Sequence, residues 1–200
     1  MTDKPIIFSA PMVRALLEGR KTQTRRLLKV RQPHRANKLR EGDNAAWFCD
    51  GEHLKNQPCE DHAYRIPIYF MPGDRLYVRE AIHWTGDLRF VADDAVVDLD
   101  RMPDGFTAWR KMVPSIFMPR WASRLTLTVT EVRVQRLQEI SVADVRAEGV
   151  EILHSVDPKH SFHTLWNSLH GPDAWDANPW VAAVSFTVQR GNIDQIGGAK

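Results

Sequence analysis

The eight residues from Gly19 to Arg26, reading GRKTQTRR, set a lysine and a hydroxyl three positions apart inside a group of arginines. Lys21 is surrounded in sequence by Arg20, Arg25 and Arg26, and like-charge repulsion of that kind lowers the pKa of an amine and frees it to act as a base. A hydroxyl within reach of such a base, here Thr24, is a candidate nucleophile. Hydrolysis by that pair would also need an acid to protonate a leaving group. Spacing alone selects none of the 25 acidic residues for that role. Taken by itself, Lys21 reads better as an ordinary surface lysine.

The charge around this segment suggests a ligand class. Residues 20–40 contain nine Lys and Arg residues and no acid, whereas the whole chain carries a net +2, so the remaining residues carry −7. A cationic stretch on an acidic body concentrates phosphate-bearing ligands. The alternative is a solvated basic loop. Arg120 and Arg124 are further candidates for phosphate contact or for surface ion pairs. Seven tryptophans is a high count for 200 residues. Trp84, Trp121, Trp175 and Trp180 could stack on bases, at about 1–3 kcal/mol each, or fill the core.

Other constellations carry less. Cys49, His53, Cys59 and His62 form C-x3-H-x5-C-x2-H, a spacing that departs from structural zinc patterns. The expectation is two reduced cysteines, no metal and no cofactor. Asp74 most simply belongs to the turn begun by Gly73. There is neither a GxGxxG nor a P-loop sequence.

The elements that must position these residues can be outlined. Pro11 suits the first turn of a helix capped at Ser9 or Ala10, and Gly19 suits its C-terminal end, so GRKTQTRR begins where that helix stops. Strands are expected at residues 6–8, 66–70, 76–78, 125–134 and 181–188, with a hairpin at 88–92 and 95–99. In LTLTVTEVRV the apolar phase flips near Thr130 and Glu131, which predicts a bulge or strong bend. Ser141 and Asp144 in SVAD predict a capping box, with Ile140 and Val145 as its hydrophobic staple. A third helix is expected from about Ser161 to Leu169. Residues 31–65 and 86–113 read as insertions, the first as a long loop.

Two hundred residues can bury a substantial core. No apolar run approaches the ~18 residues of a membrane span, and the N-terminal residues lack a signal-peptide pattern. The expectation is one cytoplasmic α+β domain over residues 1–200, mostly an antiparallel β-barrel with short helices attached, and no membrane partner.

GRKTQTRR together with PGDRLYVRE at 72–80 and SVADVRAEGV at 141–150 resembles the ASCH domain. SIFMPRWASRLTL at 115–127 and WDANPWV at 175–181 are similar to the larger ASCH proteins of phages and prophages. The resemblance implies a PUA-like barrel. It also implies either association with RNA or hydrolysis of the acetyl group from N4-acetylcytidine. The amidohydrolase motif falls on Gly19, Arg20, Lys21, Thr22, Thr24 and Arg26. By that resemblance Lys21 is the proton acceptor, Thr24 the nucleophile and Glu148 the proton donor, with Arg26 or a backbone N–H facing the oxyanion. Arg20, Thr22, Arg25, Arg26, Arg79, Glu80, Trp84, Arg120 and Trp121 would line the substrate site, and the partner would be a modified nucleoside or nucleobase, or RNA. Arg25 stands where the small amidohydrolases carry an apolar residue.

Overall fold

The computed structural model describes residues 3–28, 36–42, 45–50, 64–103, 111–152 and 156–196. The chain forms two compact units, one of Met1–Thr22, Pro72–Thr130 and Phe186–Lys200, the other of Gln23–Met71 and Glu131–Ser185. The class is α+β, with mixed sheets and few helices.

The first unit begins with strand β1 (Asp3–Ile7) and helix α1 (Ala10–Leu17). Pro11 sits in the first turn, as its missing N–H predicts, and Val13, Ala15 and Leu16 bury one face. Ser9 occupies the cap position in an extended conformation but makes no side-chain capping bond. Gly19 follows at φ +74, the left-handed conformation that glycine adopts at least cost after a helix.

Strand β6 (Arg75–Arg79) pairs in parallel with β1, Asp3 opposite Arg75 and Ile7 opposite Arg79. It also pairs antiparallel with the start of β10 (Leu125–Arg136), where Leu127 faces Leu76. A small sheet adds β7 (Ile82–Trp84), β8 (Leu88–Phe90) and β9 (Met112–Val113) in the order β8-β7-β9. Ile82, Leu88, Phe90, Val97, Met118 and Ala122 pack together around it. The hairpin expected here is reduced to one bridge, Arg89 to Val96, because β8 takes β7 as its ladder partner instead.

In the second unit β2 (Gln23–Leu27) runs antiparallel to the first half of β11 (Trp180–Arg190). Helix α2 (Val142–Ala147) carries the predicted capping box: the Ser141 hydroxyl accepts from the Asp144 N–H at 3.1 Å, and an Asp144 carboxylate oxygen accepts from the Ser141 N–H at 3.3 Å. Helix α3 (Pro158–His170) starts earlier than expected, capped by Asp157 with Pro158 in its first turn. Leu137, Ile140, Val145, Phe162, Trp166 and Val181 form this unit's core.

Two expectations need correction. Residues 31–65 read from sequence as a loop, but the backbone forms β3 (Ala36–Gly42), β4 (Ala45–Asp50) and the start of β5 (Tyr64–Pro67), an antiparallel sheet in that order. Main-chain pairing makes these strands without the apolar alternation by which a sequence announces one. The barrel is likewise not found closed among the described residues. The main sheet is five-stranded, in the order β1-β6-β10-β11-β2, and β1 and β2 are its two edges.

In β10, Leu125, Leu127 and Val129 are buried, Thr130 and Glu131 are both exposed, and Val134 is buried. The phase flip thus falls where expected, and there the strand passes from the first unit into the second. No helix among the described residues is long and apolar enough to cross a membrane.

Candidate functional site

Burial singles out the segment after α1. Lys21, Gln23, Thr24 and Arg25 supply four of the ten buried polar or charged residues among those described, and Glu148 is another. Charged residues are seldom this buried unless paired or used. Lys21 belongs to the first unit and is 1% exposed. Its backbone N–H donates to the Ala15 carbonyl at 3.0 Å, and its ammonium lies 5.4 Å from the Phe8 ring centre, within cation–π range. Thr24, Arg25, Arg26 and Glu148 belong to the second unit.

Strand alternation divides β2 between two faces. Gln23 and Arg25 share one face with their cross-strand partners Ser185 and Ala183. Thr24 and Arg26 share the other with Val184 and Ala182. On the first face Gln23 donates to the Ser185 hydroxyl at 3.2 Å and to Asp144 at 3.2 Å. Arg25, whose side chain is fully buried, donates to Gln23 Oε1 at 2.6 Å and to Glu148 Oε1 at 3.0 Å. Its other terminal nitrogen forms an ion pair with Asp144 at 3.2 Å, and its guanidinium lies 5.8 Å from the centre of Phe162. Arg133 donates to Asp144 at 2.8 Å. Arg25 thus faces the carboxylates of Asp144 and Glu148, while Arg133 bridges Asp144 and Glu131, and Arg25 has its charge neutralised inside the protein.

The electrostatics follow from that arrangement. Burial opposes ionisation of Asp144, but hydrogen bonds from Arg133 and Ser141 and the charge of Arg25 outweigh it, holding the carboxyl well below the usual range. For Arg26, burial works against the charged form and the carboxylate of Glu148 works in its favour. Glu148 thus meets Arg25 directly and reaches Arg26 through its field. It sits at the C-cap of α2, before Gly149 at φ +75.

The remaining predicted residues lie in the first unit. Arg20 is exposed and ion-paired to Glu18 at 2.5 Å. Thr22 is exposed, and its carbonyl accepts from the Phe186 N–H at 2.9 Å. Arg79 donates to the carbonyls of Met118 (2.9 Å) and Ile116. Glu80 is buried and accepts two bonds from Arg124, at 2.8 and 3.0 Å; burial nevertheless pushes its carboxyl up. Arg124 also binds Asp93 and stacks 3.8 Å over Phe90. Arg120 bridges Asp3 and Asp194, with Trp121 packed nearby on the Ile82 cluster. Asp74 is ion-paired to Lys4 at 2.5 Å. Trp84 remains 47% exposed. The set is therefore divided: strand β2 and the end of α2 hold Thr24, Arg25, Arg26 and Glu148 in the second unit, whereas Arg79, Glu80, Arg120 and Trp121 serve contacts within the first.

Gln23 and Asp144 join this network without a sequence signal for it, since QTRRL carries no apolar alternation to mark it as a strand. His53, Cys59, His62 and the side chain of Cys49, the possible zinc set, lie outside the described residues.

No family model matches the chain, and no curated protein matches it. Among solved structures it is similar to the crystal structure of protein EF3133 from Enterococcus faecalis V583, family-model DUF984. The identity is 11%, covering 96% of this chain and 83% of that one, with a TM-score of 0.42. A likeness this distant assigns neither fold family nor function.

Proposed function

We propose that this protein is a PUA-like ASCH hydrolase of a modified nucleobase or nucleoside, similar to the N4-acylcytidine amidohydrolases. The observation that supports it is the burial of the three residues to which the resemblance gives chemical roles: Lys21 is 1% exposed, and Thr24 and Glu148 are each 5% exposed. Lys21 takes the proton of the Thr24 hydroxyl, which attacks the amide carbonyl and forms an ester. Glu148, entering the step in its acid form, protonates the departing exocyclic amine. Water then attacks the ester, giving one proton back to Glu148 while Lys21 returns its proton to Thr24, so that the carboxylic acid product leaves and all three groups are reset. Arg25 acts as a positioning residue, because its bond to Glu148 fixes the carboxyl.

The test is hydrolysis of N4-acetylcytidine by the wild type and by Lys21→Met, Thr24→Val and Glu148→Gln. Each variant is expected to lose about 10²-fold or more in kcat/KM while remaining folded by circular dichroism. Unchanged rates in all three would sink the scheme.

A second reading, a nucleic-acid-binding module without catalysis or a ribonuclease on the same basic pocket, is favoured by the nine cations of residues 20–40. The internal pairing of Arg25 removes one of the cations that a phosphate grip would use.

A further inference from the structure

The second unit holds a pocket of about 360 Å³ beside the edge strand β2, lined by Arg26, Leu28, Ile66, Tyr69, Phe70 and Ala182 among others. Its origin is the register of β2 on β11: Arg26 pairs with Ala182, whose methyl group leaves space that a larger residue would fill. The segment that runs on from β5 supplies an aromatic wall, where Tyr69 and Phe70 meet edge to face at 4.8 Å. Ile66, Phe70, Ala182 and Val184 are buried, whereas Leu27 (43% exposed) and Tyr69 (60% exposed) reach solvent. The cavity therefore has an apolar lining within and large apolar side chains at its mouth. Arg26 is the one charged side chain among the described lining residues. It is not open to a ligand, because it already has a partner and the carboxylate of Glu148 already supports its charge.

We infer that this pocket binds a small uncharged molecule with a flat, largely hydrocarbon body. The volume lies at the lower end of small-molecule sites, roughly 300–1,000 Å³. Apolar walls reward a hydrocarbon body by the surface it removes from water, and a flat ring can pack against the Tyr69 and Phe70 wall. The charge class follows by elimination. An anion would shed its water without meeting a free cation, and a cation would meet the like charge of Arg26. A nucleoside also fits poorly, since its sugar hydroxyls and base edge would go under with few polar groups to receive them. A single hydroxyl costs far less, because it can stay at the open mouth. The inference goes beyond the proposed hydrolysis and does not depend on it, because binding is read without turnover.

The experiment is calorimetric titration of the full chain with 2-naphthalenemethanol, with 2-naphthoate as its charged isostere, and with cytidine. The expected result is one saturable site for the alcohol, at least about tenfold tighter than for the acid or for cytidine. Ala182→Leu should weaken binding of the alcohol at least about tenfold by filling the pocket. Tyr69→Ser should weaken it at least about fivefold by removing part of the aromatic wall. Tyr69 is 60% exposed, so this second variant keeps the test decisive if Ala182→Leu fails to fold. Absence of saturable binding of the alcohol, equal or tighter binding of 2-naphthoate or of cytidine, or unchanged affinity in either folded variant would each overturn the inference.

Discussion

At the scale of single residues, Arg25 shows how a buried cation is accommodated. A buried guanidinium is costly unless its charge is met, and here Asp144 and Glu148 balance that charge while one terminal nitrogen donates to Gln23 and Glu148. Arg25→Met should remove the cation and leave two carboxylates without it, costing about 3–5 kcal/mol. Urea unfolding measures this, and adding Glu148→Gln to Arg25→Met should recover part of the loss. Asp144 adds a pH dependence with a definite sign. Its carboxyl is depressed in the folded state, so its stabilising contribution is complete above the unfolded value of about 3.9 and is lost as pH falls toward the folded one. Between about pH 5 and 3 the wild type should lose stability, and Asp144→Asn should start less stable and change less over that window.

At the scale of elements, what the sequence makes legible depends on which force forms each element. Helix α2 is legible because its cap is built from side chains: Ser141 and Asp144 are the signal and also the bonds. Ser141→Ala should cost about 1 kcal/mol, seen as a lower midpoint in thermal or urea unfolding. The kink in phase along β10 is legible for a similar reason, since Leu125, Leu127 and Val129 give way to Val134 on a visible period. Strands β2, β3 and β4 are not legible. QTRRL is held by main-chain pairing to β11, and its alternation separates two polar faces rather than a polar from an apolar one. The candidate site is correspondingly half visible. Lys21, Thr24 and Glu148 stand out by type and motif, but the partition of β2 into an Arg25 face and an Arg26 face requires the register.

At the scale of the whole molecule, charge distribution separates the two functional readings. Residues 20–40 carry nine cations against a net −7 elsewhere. If those cations neutralise phosphates, binding of a single-stranded RNA should fall steeply with salt, with a slope of about 0.7 in log K for each phosphate contacted. Replacing Lys29, Arg31 and Arg35 together with glutamine should then flatten the slope by about 2. A neutral nucleoside makes no such demand, and the hydrolase reading expects turnover of N4-acetylcytidine to stay constant between about 50 and 200 mM salt and to survive the triple replacement. The two measurements can be made on the same protein in the same buffers. Salt-independent turnover lost in Lys21→Met places function in the buried residues, whereas steep salt dependence of RNA binding with no turnover places it in the basic segment.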